Sequence, residues 1–383
     1  MLGGLPAPSS GCLRWAVVLV ACALTSCARG GPAIDDAPAR AHVEMLARRI
    51  GSRPTGSAAN RQAREYIAGA LQQLGFAVRL QETDAVDAAR GLTAHVVNIL
   101  AAKDGPNRDA VALVSHYDSV PDGPGAGDDA LGVATCLESA RLLAGESLRH
   151  SLFVIVTDGE EVGLMGARAV VTDAEVAARV RTFLNFDGTG AAGPSLLFET
   201  GPGLSTPLAA WSAGAAAPSG ASFGIEIYRR LPNDTDFTVL KRMGASGLNF
   251  AAVGDSYAYH TDRDIAPHVD PFTLRHGIAN TVGTVRALDA MDWTSPDTAP
   301  PTFFDIFGGR AVVYGATLDA VIVWASIVAG IAAWMLITRS IVRERRVAGA
   351  IATAVWAGLA AAGSVGGCLA AASLVRALRS ELN

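Results

Sequence analysis

Two stretches near the C-terminus, 320–338 and 347–375, carry no charged residue. Each is long enough to cross a bilayer as a helix, which takes about 20 apolar residues. A buried core hairpin is a poor alternative, because the second stretch exceeds any ordinary core helix. Between them lies Arg339-Ser340-Ile341-Val342-Arg343-Glu344-Arg345-Arg346, rich in arginine. The positive-inside rule keeps this loop in the cytoplasm and puts everything before residue 320 on the other side. Arg376 and Arg379 in the tail blur that asymmetry slightly.

The N-terminus points the same way. Residues 15–24 form a short apolar run behind Arg14, too short to span and suited to a signal-peptide core. Leu24-Thr25-Ser26-Cys27 follows, which resembles a bacterial lipoprotein box with Cys27 as the lipidated residue. A signal anchor and an ordinary signal cut near Ala28 remain open. The expected organisation is a signal or anchor over 1–27, a folded domain over 33–292, a linker over 293–319, and two transmembrane helices. The Pro-rich stretch 294–301 is read as the start of that tether.

Half the residues are hydrophobic and the mean hydropathy is +0.30, which excludes a disordered chain. A net charge of −5 provides no basic stripe, so nucleic acid is not an expected partner. The five cysteines cluster at the two ends except Cys136, so no disulfide is expected within the middle of the chain.

In the middle the periodicity changes. Residues 58–74 have helical spacing and stop at Gly75. The β-branched runs 96–100, 110–114 and 152–156 suit buried strands, while 130–143 and 271–288 read as helices. Strands alternating with helices predict an α/β fold: a mixed, mostly parallel central sheet covered by helices on both faces. Such sheets bind ligands beyond the carboxyl ends of their strands.

Polar residues gather at those ends. Ser115-His116-Tyr117-Asp118 follows one predicted strand, Thr157-Asp158-Gly159-Glu160-Glu161 a second, and Asn185-Phe186-Asp187 a third. A Gly-rich loop ends in Asp128-Asp129, and Tyr259-His260-Thr261 comes much later. Carboxylates crowded together repel one another, and burying even one ion is costly. Cations relieve that strain, and imidazole with carboxylate but no thiolate suits Zn²⁺ or a related divalent ion. A carboxylate shared between two ions fits a two-metal site.

In combination HYDS (116–119), GAGDDALG (125–132), DGEEVGLMG (158–166), NFDGTG (185–190) and YHTDRD (259–264) resemble the zinc metallopeptidases of family 28, the aminopeptidase Y and bacterial leucyl aminopeptidase type. With NDTDF (233–237), DGEE most resembles the membrane-anchored branch of vacuolar membrane proteases and endoplasmic-reticulum metallopeptidases. The resemblance implies two Zn²⁺ per chain: one on His116 and Asp187, the other on Glu161 and His260, with Asp128 bridging. It implies Glu160 as general base, Asp118 orienting the His116 imidazole, and Tyr259 hydrogen-bonding the developing oxyanion. Neighbouring Glu160 and Glu161 would point apart if the chain there is extended.

The implied function is a di-zinc exopeptidase, an aminopeptidase acting on peptides outside the cytoplasm, on the periplasmic or lumenal side of the bilayer that anchors it. Glutaminyl cyclases resemble the same family and use one zinc, and some relatives are membrane proteins without activity on the same fold. Side-chain specificity, which depends on loops such as 231–237, and oligomeric state stay open. Several polar residues have ordinary readings. Asp129 is expected to cap the helix that follows it, and Asp158 to orient a neighbour or cap a turn. Asp262 and Asp264 could orient His260 or serve the turn; Asp234 and Asp236 could face the cleft or cap a helix. His42, His95, His150, His268 and His276 match no ligand motif.

Overall fold

The computed structural model describes residues 34–201, 206–293 and 301–343. The expected signal segment and the second transmembrane stretch lie outside the described residues. The chain divides into two units at Ala316 and Thr317.

Among the described residues the first unit has nine strands. They are β1 (Ala77–Asp87), β2 (Leu92–Lys103), β3 (Asn107–His116), β4 (His150–Thr157), β5 (Val180–Phe186), β6 (Leu196–Thr200), β7 (Ser246–Ala251), β8 (Thr302–Ile306) and β9 (Arg310–Tyr314). Its helices are α1 (Ala37–Val43), α2 (Ala58–Gln73), α3 (Leu131–Ala144), α4 (Met165–Val170), α5 (Ala174–Arg179), α6 (Thr206–Gly214), α7 (Ser222–Tyr228), α8 (Asp236–Leu240) and α9 (Pro271–Ala290).

Seven strands form one sheet in the order β1-β2-β4-β3-β5-β7-β6. The four in its centre run parallel, and antiparallel β1, β2 and β6 complete the two flanks. All eight residues of β4 (HSLFVIVT) are buried, as a strand covered on both faces requires. The parallel register sets His116 beside Thr157 and Val114 beside Asn185. Three of the strands that carry polar residues at their ends therefore finish level with one another.

Helix boundaries follow local chemistry. The Ser57 hydroxyl accepts the Asn60 amide at 3.0 Å to start α2, and Gly75 at φ +80° ends it. Ala63, Ile67 and Leu71, four residues apart, turn its apolar face to the core. Asp270 caps α9 through the Phe272 amide, with Pro271 in the first turn. Leu274, Ile278, Val282, Val285 and Leu288 then pack against the main core. Each such fully buried side chain contributes roughly 1.5–3 kcal/mol.

The stretch expected to be a linker is instead partly folded. Strands β8 and β9 form a hairpin whose Phe303 is buried against Trp211, with ring centroids 5.6 Å apart. The Phe303 amide donates to the Ser222 hydroxyl at 2.9 Å, and Asp305 Oδ2 accepts the Gly220 amide at 3.0 Å. An aromatic side chain that fills a core position ties the segment down, so it cannot act as a free tether.

The second unit, within the described residues, is the continuation of α10 (Ala316–Arg343), which takes in the whole first charge-free stretch. Its segment Ala316–Met335 has a mean hydropathy of 1.9 and the length to cross a membrane.

Candidate metal centre

The centre assembles from chain segments that leave the sheet at its carboxyl end. His116 is the last residue of β3, Asp187 follows β5, and Glu160 and Glu161 sit in the turn after β4. Asp128 comes from the loop before α3, and Tyr259 and His260 from the loop after β7. Five residues expected as ligands from distant sequence positions thus meet in space. His116, Asp128 and Asp187 offer donor atoms within 4.8 Å of one another, and so do Asp128, Glu161 and His260.

Asp128 faces both imidazoles at once. Its Oδ1 lies 3.0 Å from His116 Nε2 and its Oδ2 3.1 Å from His260 Nε2. His260 Nε2 is also 3.0 Å from Glu161 Oε2. The two donor sets therefore share one carboxylate, the geometry a bridging ligand needs.

The electrostatics show why such a cluster calls for cations. Burial first, then the Asp187 charge, pushes the Glu160 carboxyl well above its usual range. Burial likewise raises Asp187, where the His116 imidazole opposes the shift and Asp128 adds to it. Burial would also raise Asp128, but the imidazoles of His116 and His260 outweigh it and hold that carboxyl at about 2. Burial disfavours a charged His260, yet Asp128 and Glu161 overcome this and lift its imidazole to about 10. Glu161 Oε1, Asp187 Oδ2 and His116 Nδ1 are buried without a hydrogen-bond partner. Unpaired buried oxygens cost about 1–3 kcal/mol each. Hard oxygen and imidazole donors with open coordination capacity fit divalent zinc.

Two expectations about neighbouring residues change, and one gains a second part. Glu160 and Glu161 do not lie in extended chain: Gly159 at φ +70° starts a turn, and the Glu160 carbonyl accepts the amides of Gly163 at 2.9 Å and Leu164 at 2.8 Å. Divergence of the two side chains comes from the turn, not from a pleat. Asp118 Oδ1 lies 3.3 Å from His116 Nδ1, close enough to face that imidazole nitrogen. The Asp118 carboxylate also accepts the backbone amides of Glu160 and Glu161, each at 3.2 Å, and so fixes the turn that carries both glutamates. Asp264 does not orient His260; its carboxylate accepts the amides of Gly127 at 2.7 Å and Asp128 at 3.1 Å and secures the loop bearing Asp128.

Asp129 caps α3 through the Gly132 amide at 2.9 Å, the role its position suggests. Buried Asp158 accepts from the Asn60 side chain at 2.9 Å and the Val97 amide at 3.1 Å, holding α2 against β2. Asp236 is buried and accepts the Thr157 hydroxyl, while Asp234 is exposed and accepts Thr238 Oγ1 at 3.2 Å. Tyr259 stacks on His260 with centroids 3.7 Å apart. Burial and the nearby carboxylates raise its phenol, so it keeps its proton as a donor.

Sequence reasoning overlooked Arg53. It is fully buried and donates to the carbonyls of Tyr117 at 2.8 Å, Leu46 at 3.1 Å, Gly51 at 3.0 Å and Gly125 at 3.0 Å. Gly125 has φ +60°, and a Cβ there would lie 2.3 Å from the Asp128 carbonyl oxygen, so the loop that presents Asp128 needs glycine at this point. The only signal for Arg53 was a lone arginine between Gly51-Ser52 and Pro54.

Residues 96–285 match the model of peptidase family M28. Endoplasmic reticulum metallopeptidase 1 from Rattus norvegicus is 27% identical over 315 residues, 75% of this chain and 35% of the relative. A vacuolar membrane protease from Schizosaccharomyces japonicus is 34% identical over 218 residues, 55% of this chain and 25% of the relative. The match thus spans about a third or less of these relatives' length. A glutaminyl cyclase from Porphyromonas gingivalis superposes with a TM-score of 0.54 at 21% identity, covering 68% of this chain and 99% of that one. A Zn-dependent exopeptidase from Parabacteroides distasonis gives 0.53 at 19% identity, covering 66% and 98%. The likeness to solved structures establishes the zinc-exopeptidase fold, and the matched segment establishes that residues 96–285 are a peptidase family M28 domain.

Proposed function

We propose that the chain is a di-zinc metallo-exopeptidase, an aminopeptidase, anchored in a membrane with its catalytic domain on the extracytoplasmic side. The observation that carries this reading is the placement of Asp128 between two imidazoles, with Asp187 and Glu161 completing the two donor sets. His116, Asp128 and Asp187 would hold one ion, and Asp128, Glu161 and His260 the other. Bound there, zinc acidifies water and polarises a peptide carbonyl.

The remaining chemistry belongs to the protein. Glu160 belongs to neither donor set yet sits beside the ligand Glu161 in the turn after β4, so its carboxylate is free to take a proton from the attacking water and return it to the leaving amine. Asp118 holds the Glu160 amide and so positions that carboxylate. The Tyr259 hydroxyl, kept protonated, donates to the carbonyl oxygen as negative charge develops; donors of this kind are worth about 2.7–4 kcal/mol.

The test is hydrolysis of N-terminally free and blocked peptides by one sample, with zinc counted in the same sample. Two zinc ions per chain and cleavage of free peptides alone support the reading. The structural likeness to glutaminyl cyclases favours a second one. One zinc per chain, with cyclisation of an N-terminal glutamine and no hydrolysis, would replace the first reading by that one.

A further inference from the structure

The β8–β9 hairpin carries large apolar side chains on both faces. Residues paired across antiparallel strands share a face. Phe303 with Val313 and Asp305 with Ala311 therefore form one side, and Phe304 with Val312 and Ile306 with Arg310 the other. The first side is the one seated on the domain. On the second, Phe304 is 40% exposed and Ile306 43%, and Phe307 in the connecting turn is 98% exposed. Beside them Phe223 of α7 is 74% exposed, and Phe304 pairs with Ala221, two residues before it. An antiparallel hairpin facing water ordinarily puts polar residues on its outer side. This one does not.

Chain connectivity names the occupant. β9 ends at Tyr314, and only Gly315 precedes Ala316, where the segment long and apolar enough to cross a bilayer begins. The apolar face is thus covalently tied to the point of membrane entry. Its make-up, aromatic side chains with Arg310 among them, matches what settles at the boundary between lipid headgroups and acyl chains. We propose that the outer face of this hairpin, together with Phe223, rests in the interfacial layer of the same bilayer that α10 spans. The hairpin is then a second membrane contact that holds the catalytic domain at the lipid surface. This rests on the membrane-anchored reading of α10 and is independent of the reaction catalysed.

Photo-crosslinking of the full chain tests it. The photoreactive analogue p-benzoylphenylalanine replaces Phe307, Phe304, Trp324 of α10, or exposed Glu65 of α2, one position at a time. Each variant is reconstituted in liposomes of phosphatidylcholine and phosphatidylglycerol, irradiated, and read by mass spectrometry. We expect lipid adducts at 307 and 304 as well as at 324, and none at 65. Adducts at 324 with none at 307 and 304 would overturn the docking while leaving the anchor intact. Chain-to-chain crosslinks at 307 would show that a second copy covers this face and would also overturn it. An absence of adducts at 324 would remove the anchor and the proposal with it.

Discussion

Strand β4 begins and ends in opposite chemical conditions. At its amino end, His150 is fully provided for: Asp289 Oδ1 accepts its backbone amide at 2.8 Å and lies 3.2 Å from its Nδ1, and Trp293 stacks on the ring with centroids 3.8 Å apart. Past its carboxyl end, Glu161 and Asp187 each bury an oxygen with no hydrogen-bond partner. One strand, covered by the same helices, thus joins a settled polar cluster to an unsettled one. Satisfied groups hold a fold together, whereas unsatisfied buried groups persist where a ligand completes them.

Substitutions at the two ends should separate these roles. The largest effect is expected for Glu160→Gln, which keeps the shape of the side chain and removes its basicity. Its kcat should fall about 10²–10⁴-fold while bound zinc stays at the wild-type level, measured by peptide turnover and metal analysis. A variant that lost its metal as well would mean that Glu160 belongs among the ligands.

Next comes Asp264→Ala, which leaves the buried amides of Gly127 and Asp128 without acceptors. Denaturant unfolding should show a loss of about 1–3 kcal/mol, and turnover should fall with it because the loop bearing Asp128 loosens. By contrast Asp289→Ala should cost about 1 kcal/mol and leave kcat unchanged, since it disturbs only the settled end. A fall in kcat there would break the contrast between the two ends.

The smallest effect is a pH dependence remote from the centre. Burial raises the Glu138 carboxyl, but His42 and Arg141 outweigh it and hold it below its ordinary value. Arg141 Nε donates to it at 2.8 Å. A depressed carboxylate contributes stability that is fully present above its unfolded pKa of about 4.3 and is lost as pH falls through the folded value. Thermal unfolding below about pH 4.3 should therefore decline less steeply in Glu138→Gln than in the parent.

Much of the scaffold was legible in the residues themselves. The Ser57 cap, the Gly75 stop and the uniformly apolar β4 are local signals, and the strand ends located the polar cluster without any knowledge of contacts. What escaped was long in range or symmetric in pattern. Asp264 and Arg53 act on backbone amides and carbonyls about 65 to over 130 positions away, and backbone atoms leave no mark on residue identity. The turn at Glu160 was missed because one glycine decides between a pleat and a bend. The β8–β9 hairpin was missed because both its faces carry large apolar side chains, which erases the alternation by which a half-buried strand is recognised.

The reach of Arg53 has a practical consequence. One guanidinium gathers carbonyl oxygens from the segment around Leu46 and Gly51, from Tyr117 just past the third strand, and from Gly125, three residues before Asp128. The boundaries of the family match exclude it, since they open at residue 96. A fragment trimmed to those limits would keep every proposed ligand yet cut the cord that fastens the loop presenting the shared carboxylate. A fragment meant to keep this loop fastened should include Leu46 through Arg53.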